Sequence, residues 1–163
     1  MKTDFHKILR KMSKATEAGD TYLKVPEERH NRLDEEAVAE KLKSLMLSLN
    51  SEHENGALIV VEGTRDRRAI EQLGFHGRAF LLCHTKNNLS VLMVEAEHHK
   101  KVILLLDYDI EGRKMTGKVT SMLQDKGINV DLSFRRNIRT ITCGHTEHIQ
   151  DLSRFIHETS MRN

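Results

Sequence analysis

A chain of 163 residues, 38% of them hydrophobic, is long enough for one domain with a buried core and room for a small appendage. Its 26 Lys and Arg against 24 Asp and Glu leave a formal net charge of +2, which excludes a histone-like polycation, while the hydrophobic content excludes a disordered tail. The two cysteines make no disulfide scaffold, no apolar run reaches membrane-spanning length, and the charged stretch Met1–Met12 has no signal-peptide core, so the expectation is a cytoplasmic protein without a membrane partner.

Phe5, Ile8, Leu9 and Met12 recur at helical spacing among Lys7, Arg10, Lys11 and Lys14, which predicts a short basic amphipathic helix, with docking of its apolar stripe on the domain preferred over contact with nucleic acid or a membrane surface. A polar stretch around the single proline, Pro26, separates this arm from the rest of the chain. A second helix is predicted from Asp34 to Leu49, with Asp34 as N-cap and Val38, Leu42, Leu45, Met46 and Leu49 on one face, followed by a turn-like break at 50–56. The period then changes. Ala57–Val61 is a continuous apolar run, the pattern of a strand buried on both faces. Arg65–Leu73 suits a helix stopped by Gly74, and Ala79–Cys83 is a shorter apolar run in which Cys83 reads as a buried, inert thiol. Residues 90–98 fit either a strand or a short helix. Val102–Leu106 is the clearest strand, Gly112–Lys126 is helical, Ile128–Asp131 suits another strand, and Ile149, Leu152, Phe155 and Ile156 mark a last helix.

Strand and helix alternate without two-residue hairpin signals. The expected fold is α/β: a mainly parallel four-stranded sheet with helices on both faces, Rossmann-like in plan, plus an N-terminal helical extension. The expected division is a helical arm at 1–50, the sheet domain at 51–140 and a C-terminal helical segment at 141–163 packed on it.

Ligands of open parallel sheets bind beyond the carboxyl ends of the strands. Two strands here run into acids: the first into Glu62-Gly63-Thr64-Arg65-Asp66, the third into Asp107-Tyr108-Asp109-Ile110-Glu111-Gly112. Carboxylates converging on one edge repel unless a cation sits among them, and hard oxygen donors select Mg²⁺ or Mn²⁺. Magnesium shares its remaining positions with water and phosphates, so the expected chemistry is phosphoryl transfer or phosphate binding. A calcium-binding EF-hand is excluded, because the twelfth position of that loop would be Lys118 and a strand, not a helix, precedes it. Each acid alone suits a helix N-terminus on the surface; it is their joint placement at strand ends that points to a site.

An apolar strand with Glu62-Gly63-x-x-Asp66, then a second with Asp107-x-Asp109-x-Glu111-Gly112, resembles the Toprim domain of topoisomerases, bacterial primases, OLD-type nucleases, RecR repair proteins and the small 5S-rRNA maturation ribonucleases. The resemblance spans about Ala57 to Asp131. With Glu62–Ala69 and Arg135-Arg136-x-x-Arg139, the chain is most similar to the small stand-alone Toprim proteins of archaea. It implies that Glu62 is a general acid/base or metal-neighbouring carboxylate, that Asp107 and Asp109 are Mg²⁺ ligands, and that Glu111 matches the additional acid of the topoisomerase version. Glu62, Asp107 and Asp109 are thus the implied catalytic residues, and Glu62, Asp107, Asp109 and Glu111 the implied metal set. Gly63, Asp66 and Gly112 support them, with Asp66 orienting its neighbours.

Topoisomerase and primase chemistry would need a tyrosine nucleophile on a large separate domain, or further template-binding domains. The two tyrosines here are Tyr22 and Tyr108, and Tyr108 reads as packing. Residues 110–140 carry seven Lys and Arg against three acids. Arg65, Arg67, Arg68, Arg113, Lys114, Arg135, Arg136 and Arg139 are therefore the expected phosphate contacts. Aromatic residues at 4% argue against base stacking and favour backbone and shape recognition of folded RNA. Cys143, His145 and His148 fall short of a zinc motif and read as surface groups. The expected function is Mg²⁺-dependent processing of structured RNA, with ribosomal RNA the favoured target. The alternatives are a non-catalytic RNA-binding module associated with the ribosome and, more remotely, a repair adaptor of the RecR type, whose zinc and helix-hairpin-helix elements are not seen in the sequence.

Overall fold

A computed structural model of the chain describes residues 34–83 and 88–157, so the helix expected at residues 5–14 lies outside them. The elements in order are α1 (Glu35–Glu54), β1 (Ala57–Val61), α2 (Thr64–Gln72), β2 (Ala79–Leu81), α3 (Asn88–Ala96), β3 (Lys101–Leu105), α4 (Ile110–Asp125), β4 (Val130–Asp131), α5 (Ser133–Ile141), a 3₁₀ turn (Ile149–Ser153) and α6 (Arg154–His157).

Every residue of β1 is buried, as its unbroken apolar run requires. Successive side chains of a strand point to opposite faces. Ala57, Ile59 and Val61 therefore join Ile103 and Leu105 of β3 in one core, where α1, α5 and the C-terminal elements contribute Leu42, Met46, Ile138, Leu152 and Phe155. Leu58 and Val60 join Val102 and Leu104 in a second core with Leu92 of α3 and Val119 and Leu123 of α4. Helices thus cover both faces of the sheet. Burying a side chain such as Ile59 or Leu104 completely stabilises the fold by about 1.5–3 kcal/mol, so the two central strands carry a large share of its stability.

All strand pairs are parallel, in the order β2-β1-β3-β4. The chain leaves β1 toward one edge and returns past it to β3, so β1 and β3 flank the point where the strand order reverses. Crevices at such points are where open α/β sheets bind ligands. The register pairs Val61 with Leu105, which brings the segments that follow β1 and β3 out side by side.

Two local features differ from the sequence reading, and one reading left open there is resolved. Asp34 does cap α1, accepting from Ala37 N at 3.3 Å. The helix nevertheless runs on to Glu54, leaving only residues 55–56 of the expected break at 50–56 as a turn, and Asn50 donates from Nδ2 to Gly74 O at 2.8 Å and accepts from His76 N at 2.9 Å. Instead of forming a turn, Asn50 is a brace between α1 and the loop after α2. Residues 90–98, open between strand and helix, fall mostly in α3. Helix α5 has no counterpart in the sequence reading, although Phe134 and Ile138 stand four apart on its buried side.

Candidate functional site

The segments after β1 and β3 present five carboxylates, Glu62, Asp66, Asp107, Asp109 and Glu111, whose partners differ. Glu62 follows β1 and is half-buried; its Oε1 is 3.7 Å from Cys83 Sγ, and its Oε2 is buried without a hydrogen-bond partner. Burial pushes the Glu62 carboxyl above its ordinary value, the charge of Asp107 pushes it further, and the Asp107 N–H and the Cys83 thiol offset only part of this. Asp66, 6% exposed, sits in the first turn of α2. Its Oδ2 accepts from Gly63 N at 2.7 Å, the reciprocal half of a capping box, and its Oδ1 accepts from Gln150 N at 3.1 Å. Burial raises its pKa as well, with Asp107 adding to the shift and the Gly63 and Gln150 N–H groups opposing it.

Asp107 is the junction. Its Oδ1 accepts from Ile149 N at 2.8 Å and its Oδ2 lies 2.9 Å from His148 Nδ1. That hydrogen bond is the main reason the His148 imidazole is held above its ordinary pKa. Asp109 caps α4, accepting from Gly112 N at 2.6 Å. Gly112 fits because a Cβ there would collide with the Asp107 carbonyl oxygen and lie 2.9 Å from the Asp107 Cβ. Glu111 is exposed in the first turn of α4. Glu62, Asp66 and Asp107 share one electrostatic environment, each of the first two titrating under the charge of the third.

His148 joins the site although it reads as a surface group in the sequence, because nothing in the spacing of residues 143–148 shows that His148 meets an aspartate 41 positions earlier. The same gap hides Gln150. Cys83 is exposed rather than buried, since β2 ends at Leu81 and Cys83 stands in the turn beyond. Its N–H donates to Glu62 O at 2.9 Å, and burial of the sulfur together with the Glu62 charge pushes the thiol up to about 11. Little thiolate forms at neutral pH, so the thiol is weakly nucleophilic in spite of its exposure.

The basic residues divide by their partners. Arg65, Arg68, Lys114, Arg136 and Arg139 are exposed. Arg113 is exposed too, but donates Nη1 to Tyr108 O at 3.1 Å. Arg67 pairs with Glu71 at 3.5 Å within α2. Arg135, counted with the phosphate contacts in the sequence, is instead engaged with the backbone. Its Nε donates to Leu106 O at 2.8 Å and its Nη2 to Asp107 O at 2.6 Å, and its guanidinium lies 4.5 Å over the Tyr108 ring. Those backbone carbonyls end β3 without further strand partners, and Arg135 satisfies them. Tyr108 is buried, as its packing role requires, and donates its hydroxyl to Arg135 O at 2.8 Å.

Among the described residues no group of three or more His, Cys, Asp or Glu side chains is drawn together so as to hold a metal ion. A hard cation that keeps several waters does not need such a group. The buried Glu62 Oε2 lacks a partner, and the Asp107 charge acts against that same carboxylate. An unpartnered buried oxygen under like-charge repulsion fits a cation held by Glu62 and Asp107, with Asp109 on the same edge and the remaining positions left to water and phosphate.

Residues 57–139 match the Toprim domain family. A UPF0292 protein of Methanosarcina acetivorans is 30% identical over 72% of this chain and 81% of its own length. One of Pyrococcus abyssi is 28% identical over 76% of this chain and 92% of its own. A solved structure of a protein from Aquifex aeolicus superposes with a TM-score of 0.55 at 28% identity, covering 68% of this chain and 96% of that one. Among the described residues, no helix is long and apolar enough to cross a membrane.

Proposed function

Because the chain belongs to the Toprim family and groups with the small archaeal UPF0292 proteins, we propose that it is a Mg²⁺- or Mn²⁺-dependent phosphodiesterase that processes structured RNA, ribosomal RNA foremost, in the cytoplasm. Toprim domains bind divalent metal ions and act on nucleic acids. The observation that carries the reading is the Glu62 carboxylate, with one oxygen buried and unpartnered and its pKa raised by burial and by Asp107.

The metal, when bound, supplies charge stabilisation to the phosphate and its leaving oxygen. Glu62 and Asp107 would hold it, with Asp109 completing the edge. Burial and the Asp107 charge move the Glu62 carboxyl upward, the direction that favours a proton-transfer role. In hydrolysis, a water oxygen forms the new bond to phosphorus as the bond to the leaving oxygen breaks. Glu62 takes the proton of that water or delivers one to the leaving oxygen. Asp66 keeps the turn after β1 in place through Gly63, and His148 and Ile149 fix the rotamer of Asp107.

A second reading has its own support. Both Asp107 oxygens already have hydrogen-bond partners, an arrangement that suits a non-catalytic RNA-binding module. The test incubates the protein with ribosomal RNA precursors, unstructured RNA and duplex DNA in Mg²⁺ or Mn²⁺, beside its Asp109→Ala and Glu62→Gln variants. Metal-dependent cuts at defined RNA positions, lost in both variants, are the expected result. Intact substrates with salt-sensitive retention of folded RNA would overturn catalysis and leave the binding module.

A further inference from the structure

A cleft beside the carboxylate edge, between α2 and the C-terminal 3₁₀ turn, has a volume of about 630 Å³. Arg65 and Arg68 line it from α2, and Arg154 lines it from the opposite wall. Ala69 leaves space between the walls, and Asp151 is the one carboxylate in the lining. Residues three apart on a helix share a face, so Arg65 and Arg68 project together. Among the described residues, neither forms an ion pair. The Arg154 guanidinium stacks 4.6 Å over the Phe155 ring and donates Nη2 to His145 O at 3.4 Å, which orients it and leaves most of its N–H donors unused.

The cavity is continuous with the proposed site through the backbone. Gln150, in its lining, donates its N–H to Asp66 Oδ1, and Arg65 is the chain neighbour of Asp66. One wall belongs to the matched family segment at 57–139, and the other comes from residues 150–154 beyond it.

From this geometry we infer that the cleft of Arg65, Arg68 and Arg154 binds a phosphate group of the nucleic-acid strand next to the one at the carboxylate edge, and so sets the register in which the strand enters the site. The inference rests on the nucleic-acid reading above and adds to it a subsite and a residue, Arg154, outside the Toprim motifs. Guanidinium groups meet phosphate oxygens through paired N–H donors, and three of them facing one carboxylate leave an excess of positive charge that an anion offsets. The volume exceeds that of a phosphate and falls in the range of nucleotide-sized sites. The phosphate could be internal to the strand or its 5′ end, so both forms belong in the test.

The experiment measures fluorescence anisotropy of a short labelled RNA hairpin, with a 5′-phosphate or a 5′-hydroxyl, across a salt series in EDTA. The proteins are the wild type, Arg68→Ala, Arg154→Ala, Arg154→Lys and Arg78→Ala. Arg78 is exposed before β2, at the amino-terminal edge of the sheet away from the cleft. Arg68→Ala and Arg154→Ala are expected to bind about tenfold more weakly, with the slope of log K against log salt reduced by about one. Arg154→Lys should keep the slope, and Arg78→Ala should match the wild type. A 5′-phosphate preference that disappears in Arg154→Ala assigns the cleft to the strand end; equal affinity for both hairpins assigns it to an internal phosphate. Wild-type affinity and slope in both cleft variants would overturn the subsite while leaving the nucleic-acid reading intact. Failure of the wild-type protein to bind either hairpin would overturn both.

Discussion

His148 Nδ1 lies 2.9 Å from Asp107 Oδ2, a contact across 41 residues that ties the C-terminal turn to the end of β3. A protonated imidazole at that distance does for Asp107 part of what a cation would do, and the two should compete. The His148 side chain is 37% exposed, so solvent screening limits the pair to at most about 1 kcal/mol, or about fivefold in an equilibrium constant. His148→Ala is therefore expected to bind Mn²⁺ up to about fivefold more tightly with little change in melting temperature. Calorimetric titration with Mn²⁺ checks this. Weaker binding in the variant would show that His148 supports the metal-binding geometry instead of opposing it.

Metal handling and RNA affinity are separable if the carboxylates and the arginines do different work. Asp107→Asn keeps the shape of the side chain but removes its charge. It is expected to lower metal-dependent cleavage at least about a hundredfold, the scale of losing a group that stabilises charge in the transition state. Hairpin affinity in EDTA should fall little or even rise, because a negative charge near the phosphates has gone. Cleavage that survives in Asp107→Asn would remove this residue from the chemistry.

Much of this arrangement is readable from residue order, and the parts that are not share one cause. The run Ala57–Val61 announces a doubly buried strand because every neighbour is apolar, and the Gly63–Asp66 spacing announces a capping contact because both partners lie within one helical turn. Asn50 bracing the loop after α2, Arg135 closing the carbonyls after β3 and His148 on Asp107 all join segments more than twenty residues apart. Polar partners at such separations carry no period. They follow from the strand order, which brings the ends of β1 and β3 together and sets residues 145–150 against them. The extent of α1 is hidden differently: Asn50 and Ser51 have weak helix preference, and tertiary contacts override it.

The glycines test the geometry independently of activity. Gly112→Ala must move the Asp107 backbone or the start of α4, and is expected to cost about 1–3 kcal/mol and to weaken Mn²⁺ binding with it. Gly117, inside α4, has open space where a methyl group would stand, with nothing within 4 Å, so Gly117→Ala should stabilise by about 0.5–1 kcal/mol through helix propensity alone. Urea unfolding of both variants supplies the comparison. Similar destabilisation by the two would mean that α4 packs differently along its length than these contacts require.

Asp131 makes a pH-dependent contribution far from the proposed chemistry. Burial alone would raise its carboxyl, but the hydrogen bonds from Ser133, one of them from its N–H at 2.7 Å, together with Lys101 outweigh that and hold it below the ordinary value of 3.8. Lys101 also pairs with Glu52 at 2.7 Å and lies 3.7 Å from Asp131, so the same charges join α1, β3 and β4. A carboxyl whose folded pKa is lowered binds protons more weakly in the native state than in the unfolded one. Its contribution is fully present above the ordinary value and is lost as pH falls through the lowered one. Asp131→Asn is expected to cost about 1–2 kcal/mol at neutral pH, with the difference from the wild type closing as the pH falls below about 4. Chemical denaturation at a series of pH values reads this directly. A deficit that stays constant through the acid range would assign the role of Asp131 to shape rather than charge.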